Sequence, residues 1–243
     1  MNLVYNRLAK RIRFLSLTSF SEYIDYVEAQ GESEFIQLIN SITTNLTFFF
    51  RENHHFEYLA EQVIPSLLIS NAASRKIRIW SAGCSTGEEP YSIAITLKEK
   101  VPSGWDVQVI ATDLDSNVVQ TGLDGIYTID RLKGVSEARQ KRWFLKGSGS
   151  KEGYVKVKPE LQEIIKFDQL NLMSEWPIKD SIDVIFCRNV VIYFDKPTQS
   201  KLFDRYADRL PTGGHLFVGH SESLYKVCNR FELLGQTIYK KIK

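Results

Sequence analysis

The chain contains few of the residues that mark disulfide-bonded, metal-binding or membrane proteins. Its three cysteines, Cys84, Cys187 and Cys228, have no CxxC or metal-ligand spacing and cannot all pair with one another. This usage fits a reducing compartment, so we expect a cytoplasmic protein without a bound metal. No apolar run approaches the roughly 18 to 20 residues that span a bilayer, and the N-terminus has no signal-type apolar core. Direct insertion into a membrane is therefore not expected.

Excess charge of one sign is also absent from the chain as a whole. The formal net charge is +2 at pH 7 and no DNA- or RNA-binding motif is visible, so nucleic acid is not expected as a partner. Residues 1–20 are an exception, because they contain basic residues and no acid. Arg7, Lys10 and Arg11 share one helical face. Such a face either attracts an acidic partner or is an ordinary solvated helix surface.

A turn rich in small residues follows an apolar strand in the segment RIWSAGCSTGEEPYS. Small residues stand at every second position, namely Ser81, Gly83, Ser85 and Gly87. They allow a sharp bend and a close approach of a ligand. The dinucleotide fingerprint GxGxxG is not met from Gly83, and a pyrophosphate at the helix start would face Glu88 and Glu89.

This turn therefore disfavours NAD and ATP as ligands. It favours S-adenosylmethionine, which carries a sulfonium and an α-ammonium group and no phosphate. The alternative is a helix start whose carboxylates merely favour the helix dipole. Cys84 is expected to be a packing residue, because no histidine lies in a recognisable partner motif.

An acidic residue ends the next apolar strand, VQVIATDLD. Ligands of doubly wound sheets bind outside the carboxyl ends of the strands, which places Asp113 for contact with a ribose. The alternative role for an acid here is the N-cap of a helix that begins near Ser116. Asp115 competes with Asp113 for both roles.

The coarse order of elements predicts an α/β protein with a helical N-terminus. Residues 1–44 carry helical periodicity, and strand-like runs alternate with helices from Ile77 onward. The last two runs, FELL and TIYKKI, are too close together for a crossover helix and are expected to pair antiparallel at a sheet edge. Residues 124–162 contain the polar turn KGSGSKEG between alternating apolar segments, which predicts an inserted hairpin.

Two further segments carry candidate site residues. Arg51 stands beside three phenylalanines in TTNLTFFFRENHHF and is either a snorkelling surface residue or a carboxylate clamp. Arg188 and Asn189 end the buried strand of IDVIFCRNVVIYFDKPTQ, and Tyr193 follows. Polar groups at such a strand end belong to the binding edge of a sheet.

Taken together, these segments resemble the CheR family of chemotaxis receptor glutamate methyltransferases. The resemblance covers nearly the whole chain and also includes NL at 171 and 172 and FVGHSESL. It implies an α/β class I methyltransferase fold that is Rossmann-like, with a mostly parallel sheet and an antiparallel edge strand. It further implies an all-helical receptor-recognition domain at 1–44, a methyltransferase domain at 45–243, and an inserted β-subdomain at about 124–162.

The same resemblance implies a site for S-adenosylmethionine and no metal. Matched by motif, the cofactor-binding residues are Asn45, Thr47, Arg51, Gly83, Glu89, Asp113, Asn171, Leu172, Arg188 and Asn189. Glu89 is preferred to Glu88. The chain departs from the family pattern in two ways: Leu46 stands where glutamate is common, and the chain begins after a leading helix that many members have.

The implied reaction transfers a methyl group to glutamate side chains of a chemotaxis receptor and yields γ-glutamyl methyl esters. A solvated glutamate side chain, with a pKa of about 4.3, is already ionised at neutral pH and needs no general base. Arg51 is expected to position a carboxylate of substrate or cofactor. Tyr193 is expected to shape the transfer pocket with its hydroxyl, unless it is a core aromatic. The helix face of Arg7, Lys10 and Arg11 would dock the receptor.

Other interpretations remain at this stage. The inserted hairpin resembles that of members which capture a C-terminal receptor peptide as an added strand, or it simply covers the sheet edge. A methyltransferase acting on a free small-molecule carboxylate, and a receptor-binding module that senses S-adenosylmethionine without turnover, are the alternative functions.

Overall fold

Helices form the N-terminal part of the computed structural model, which describes residues 2–178 and 180–243. They are α1 (Asn2–Phe14), α2 (Phe20–Gln30) and α3 (Glu32–Ile42). Their shared core contains Leu8 and Ile12 of α1 together with Tyr23 and Val27 of α2. Because residues four positions apart lie on the same face of a helix, each helix buries one apolar stripe against the others. The helical N-terminus is confirmed.

The predicted basic face of α1 is largely engaged within the protein. Arg11 forms a salt bridge with Glu34 of α3 at 2.6 Å. Arg7 donates to the backbone carbonyl of Thr43, just beyond α3, at 2.8 Å. Lys10 is exposed. Arg7 and Arg11 therefore already have partners inside the chain, and the docking role of the face formed by all three residues stays a prediction.

The strands follow the apolar runs seen in the sequence. They are β1 (Lys76–Ala82), β2 (Asp106–Asp113), β3 (Ile126–Thr128), β4 (Phe144–Lys146), β5 (Tyr154–Val157), β6 (Ile165–Gln169), β7 (Val184–Cys187), β8 (His215–Val218), β9 (Phe231–Gly235) and β10 (Ile238–Lys241). The main sheet has seven strands in the order β6-β2-β1-β7-β8-β10-β9. From β6 to β8 the neighbouring strands are parallel.

The edge formed by β10 and β9 is antiparallel, as predicted from the short connection between these two strands. The α/β class, with a mostly parallel sheet, is confirmed. Because the parallel strands β6, β2, β1 and β7 are neighbours, their carboxyl ends lie along one edge of the sheet. Ligand sites of such sheets form at this edge.

Helices cover both faces of the main sheet. The helices after α3 are α4 (His54–Tyr58), α5 (Ile64–Ser70), α6 (Glu88–Lys100), α7 (Ser116–Asp124), α8 (Glu137–Trp143), α9 (Pro159–Gln162) and α10 (Lys196–Arg209), of which α8 packs beside β4 rather than on the main sheet. In β1, Ile79 joins the core that contains Phe56 of α4 and Tyr91 of α6, whereas Trp80 joins the core that contains Tyr206 of α10. This alternation follows from the period of two along a strand. No helix of residues 2–178 and 180–243 has the length and apolar character needed to cross a bilayer.

The inserted region is larger than the predicted hairpin. Strands β4 and β5 pair antiparallel around the turn that contains Gly147, and they correspond to that hairpin. However, β3 pairs with the other side of β5, so the result is a sheet in the order β3-β5-β4. The chain enters β4 directly from α8, whose last residue is Trp143. We call this sheet with α8 the β-subdomain.

Candidate functional site

A cavity of about 390 Å³ opens at the carboxyl ends of β1, β2, β6 and β7. A connection between α3 and α4 forms one of its walls. All of the predicted site residues line it, namely Asn45, Thr47, Arg51, Gly83, Glu89, Asp113, Asn171, Leu172, Arg188, Asn189 and Tyr193. The volume is within the range of small-molecule sites, about 300 to 1,000 Å³. The structure therefore brings these residues together around one space, while their individual roles remain predictions.

The glycine turn after β1 shapes the floor of this cavity. Gly83 has φ of 100°, and a Cβ added there would lie 2.4 Å from the side chain of Val190. Only glycine satisfies both the left-handed backbone and the close approach. The backbone N–H groups of Gly83 and Cys84 donate to the carbonyl of Thr112 in β2, at 2.8 and 2.9 Å. Burial raises the pKa of the Cys84 thiol well above its usual value, which agrees with a packing role.

Asp113, the last residue of β2, and Asp115, just beyond it, take different ones of the two roles that the sequence left open. Asp115 caps α7, because its side chain accepts from the N–H of Asn117 at 2.9 Å, and it does not line the cavity. Asp113 does line it, and its carboxylate accepts from the N–H groups of Ser85 at 2.8 Å and Asp115 at 3.0 Å. Burial raises the pKa of Asp113. The ribose contact proposed for this strand end therefore has one candidate that faces the space.

The two glutamates at the start of α6 point to different neighbours. Glu89 lines the cavity, accepts from the Ser81 hydroxyl at 2.7 Å and pairs with Arg188 at 3.1 Å. Burial raises the pKa of its carboxyl. Glu88 is fully buried away from the cavity and pairs with Arg131, which precedes α8. The geometry thus agrees with the choice of Glu89 as the candidate contact.

The guanidinium of Arg188 forms its salt bridges with acidic residues inside the protein. Its side chain is 2% exposed and lies 3.1 Å from Glu89 and 3.3 Å from Glu52. It also donates to the backbone carbonyl of Arg51. We conclude that Arg188 holds Glu89 and the Arg51 turn in place, which adds a structural role to its expected contact with the cofactor.

Arg51 and Tyr193, the two residues expected to act on the substrate, are both accessible to solvent, as is Asn171. Arg51 is half-buried, donates to the carbonyl of Leu46 at 2.8 Å and lies over the ring of Phe48. Within the described residues it forms no salt bridge. Tyr193 is 61% exposed, so it is not the core aromatic that the sequence left as an alternative. Both side chains can meet a ligand that enters from solvent.

Two protein-family profiles match this chain. The family profile described as "CheR methyltransferase, SAM binding domain" matches residues 45–240, and "CheR methyltransferase, all-alpha domain" matches residues 1–43. This chain belongs to the CheR methyltransferase family. Its structure is therefore that of an S-adenosylmethionine-dependent methyltransferase with an all-helical N-terminal domain.

Curated relatives within the CheR family span almost the same length. The "Probable chemotaxis protein methyltransferase" of Rhizobium etli is 43% identical over 98% of this chain and 91% of its own. "Chemotaxis protein methyltransferase 2" of Pseudomonas aeruginosa is 44% identical over 98% of this chain and 84% of its own. The "Chemotaxis protein methyltransferase" of Escherichia coli is 43% identical over 98% of this chain and 82% of its own.

The residues of this CheR-family cavity fit S-adenosylmethionine. Asp113 is half-buried and has no salt bridge within the described residues, so its carboxylate gains from ribose hydroxyls or from a positive ligand. Glu89 supplies a second carboxylate to the same space. Two arginines line the same space, Arg51 and Arg188, and Arg188 is already paired with Glu89 and Glu52.

Glu222, which lies in the segment FVGHSESL, has a structural role that the sequence did not predict. The buried Glu222 carboxylate accepts from the N–H groups of Asn189 at 2.9 Å, Ile192 at 3.2 Å and Gly219 at 2.5 Å. It thereby holds the turn between β7 and α10, in which Asn189 has φ of 60°. An acid placed after β8 is a weak signal, because its partners are backbone groups that the sequence does not reveal.

A second polar cluster lies behind the cavity. Ligand atoms of Glu52, His54 and His55 lie within 4.8 Å of one another, close enough to share a metal ion. Glu52 is, however, already paired with Arg188 and with His220, at 3.3 and 3.0 Å. A guanidinium at this distance would repel a second cation. The cluster therefore serves here as the counter-charge of Arg188.

Proposed function

We propose that this chain transfers the methyl group of S-adenosylmethionine to glutamate side-chain carboxylates of methyl-accepting chemotaxis receptors. The products are γ-glutamyl methyl esters and S-adenosylhomocysteine, and the reaction serves sensory adaptation. One observation carries the proposal beyond family membership. The same cavity contains two carboxylates, Asp113 and Glu89, and one arginine without an acidic partner in the described chain, Arg51.

These charges match the two reactants of such a transfer. The carboxylates favour a cationic cofactor, and Arg51 favours an anionic substrate. A substrate glutamate has a pKa of about 4.3 and is ionised at neutral pH, so the site needs no histidine base. The cofactor, when bound, supplies an electrophilic methyl group on sulfur.

The protein's own task is alignment and exclusion of water. Arg51 and Tyr193 orient the substrate carboxylate, and the apolar lining of Leu172 and Val190 keeps water away. A very tight ion pair would be harmful, because it would stabilise a charge that is lost in the transition state. Arg51 is half-exposed and already donates to the Leu46 carbonyl. It is therefore suited to a moderately strong ion pair with the substrate carboxylate.

We assign the cofactor to the residues predicted from the sequence. Asp113 would accept from the ribose hydroxyls, and Gly83 would allow close approach of the cofactor to the turn. Asn45, Thr47, Arg51, Glu89, Asn171, Leu172, Arg188 and Asn189 would complete its surroundings. We assign no metal to the reaction.

Two separate surfaces of this protein would bind the receptor in the cytoplasm. We assign recognition of the methylation helices to the helical domain, residues 1–44, through exposed Lys10 rather than through the engaged Arg7 and Arg11. The outer strands β3 and β4 of the β-subdomain have free edges in the described chain, which would allow a receptor C-terminal peptide to be added as a strand. Such a tether raises the local concentration of enzyme near the receptor.

A labelling experiment tests the reaction. The protein is incubated with methyl-labelled cofactor and the cytoplasmic fragment of a receptor, and the product is treated with mild alkali. An ester releases labelled methanol, whereas an N-methyl group does not. Label that resists alkali would disprove the proposal. Cofactor binding without any turnover would favour a sensing module, and label on free carboxylates with none on the receptor would favour a small-molecule enzyme.

A further inference from the structure

Residues 43–47 form a wall of the cavity without belonging to a helix or strand. We call them the wall segment. Each of its residues lines the cavity, and it follows directly after α3. Because no regular hydrogen-bond ladder holds this segment, its shape depends on contacts from side chains elsewhere in the chain.

Arg7 of α1 makes such contacts from the helical domain. Its guanidinium donates to the carbonyl of Ile42, to the carbonyl of Thr43 at 2.8 Å and to the hydroxyl of Thr44 at 2.8 Å. The last carbonyls of a helix have no partner within the helix and carry its negative dipole end. A cation at this position therefore satisfies the end of α3 and fixes the start of the wall segment.

Asp115 holds the same segment from the methyltransferase side. It is 2% exposed, and its carboxylate accepts from the Thr43 hydroxyl at 2.7 Å and from the Asn45 side-chain amide at 2.8 Å. Its own N–H donates to Asp113 at 3.0 Å. The Ser85 hydroxyl adds a bond to the Asn45 carbonyl at 3.1 Å. The wall segment is thus connected directly to the candidate ribose contact.

From this arrangement we infer that Arg7 and Asp115 are positioning residues for the cofactor cavity, so that the helical domain helps to build the S-adenosylmethionine site. The inference rests on the proposed function, since it names the cofactor as the ligand of this cavity. Coupling is reciprocal: if the helical domain improves cofactor binding, the bound cofactor must stabilise the helical domain to the same extent. A receptor that moves α1 would then change cofactor affinity.

Calorimetric titration with S-adenosylhomocysteine provides the first test. Changing a residue within a coupled network shifts affinity by about two- to thirtyfold, and we expect a loss of this size for Arg7→Ala. Arg13→Ala is the matched control, because Arg13 is an exposed arginine of the same helix whose side chain, among the residues that the structure describes, donates only to Ala9 of its own helix. Asp115→Asn, which removes the charge and one acceptor oxygen, should weaken binding in the same way.

Hydrogen exchange of the unmodified protein provides a test that does not depend on any variant folding. Saturating S-adenosylhomocysteine should slow exchange of the amides of α1 and α3. Unchanged exchange there, or equal affinities for Arg7→Ala and Arg13→Ala, would overturn the inference. A variant Arg7→Ala that loses only receptor methylation and keeps its cofactor affinity would return Arg7 to a docking role. Failure of the wild type to bind S-adenosylhomocysteine would instead contradict the proposed function.

Discussion

At the scale of single residues, the cavity depends on carboxylates whose surroundings decide their roles. Asp113 and Asp115 are two positions apart, yet one faces the cavity and the other caps α7. Glu88 and Glu89 are adjacent, yet they pair with different arginines. The burial of Asp113 and Glu89 raises their pKa values, so a bound cation or hydroxyl donor offsets the electrostatic cost of burying these carboxylates.

Replacement of Asp113 tests the ribose contact. Asp113→Ala removes an acceptor for the ribose hydroxyls, and loss of hydrogen bonds to a charged group should weaken affinity by about ten- to a hundredfold. Calorimetry with S-adenosylhomocysteine measures this change. Asp25→Ala, an exposed acid on α2, is the control and should bind normally. Unchanged affinity of a folded Asp113→Ala protein would assign the ribose contact to another residue.

At the scale of elements, α1 combines two kinds of basic residue. Arg7 and Arg11 hold the helical domain and the wall segment, whereas Lys10 is exposed between them. The i, i+3 and i+4 spacing does place Arg7, Lys10 and Arg11 on one face of α1. Residues on one helix face can nevertheless have different partners, as Arg7 and Arg11 do.

Reversal of the charge at Lys10 tests whether this exposed residue of α1 contributes to receptor docking. Lys10→Glu should raise the KM for the receptor fragment and leave cofactor affinity unchanged, because this side chain is exposed and it is Arg7 that donates to the wall segment. The wild-type rate should fall as salt is added, since salt screens attraction between exposed charges. Steady-state methylation at two salt concentrations measures both effects. Equal KM values for wild type and variant would make this face an ordinary solvated surface.

The turn between β4 and β5 is expected to be needed for binding of a receptor C-terminal peptide. Gly147 packs closely, since a Cβ there would lie 2.0 Å from the carbonyl oxygen of Lys151. Insertion of three residues within 147–149 should therefore disturb the edge of β4 and abolish binding of a receptor C-terminal peptide. Cofactor affinity should not change, because no residue of this turn lines the cavity.

Fluorescence titration of a labelled tail peptide measures that binding, and deletion of the receptor tail should lower methylation at low receptor concentration. A lack of saturable binding by wild type, together with methylation rates that do not depend on the tail, would mean that the β-subdomain only covers the sheet edge.

At the scale of the whole molecule, acid should reduce stability through the cluster behind the cavity. Burial lowers the pKa of His55 from 6.5 to about 3. The unfolded chain therefore takes up this proton below about pH 6.5 and the folded protein does not, so stability falls between pH 6.5 and 3. For Glu52, burial opposes ionisation, but the Arg188 charge prevails and lowers the pKa from 4.5 to about 2. The contribution of Glu52 to the free energy of unfolding is complete above pH 4.5 and is lost as the pH falls toward 2.

Urea unfolding across this range measures the effect. We expect His55→Phe, which keeps an aromatic ring against Phe217, to show a smaller loss of unfolding free energy between pH 6.5 and 4.5 than wild type. His215, whose pKa burial lowers to about 4, should account for part of the remaining slope. A variant with the same pH dependence as wild type would show that His55 is not the group responsible.

The amino-acid sequence alone determined the elements of the main sheet and the place of its cavity. The apolar runs became β1, β2, β6, β7, β8, β9 and β10, and the polar residues at strand ends line one space. These features are predictable because strand periodicity and turn chemistry act over a few neighbouring residues. The carboxyl ends of adjacent parallel strands must then meet at one edge.

Only the tertiary structure decided which charges are available to a ligand. Arg7 lies 36 residues before the Thr43 carbonyl that it binds, and Arg188 lies 99 residues after its partner Glu89. A sequence shows that a side chain is charged, but the packing of distant elements decides what neutralises it and how much water it retains. The third strand of the β-subdomain was missed for the same reason, since pairing of β3 with β5 depends on long-range contact and not on local pattern.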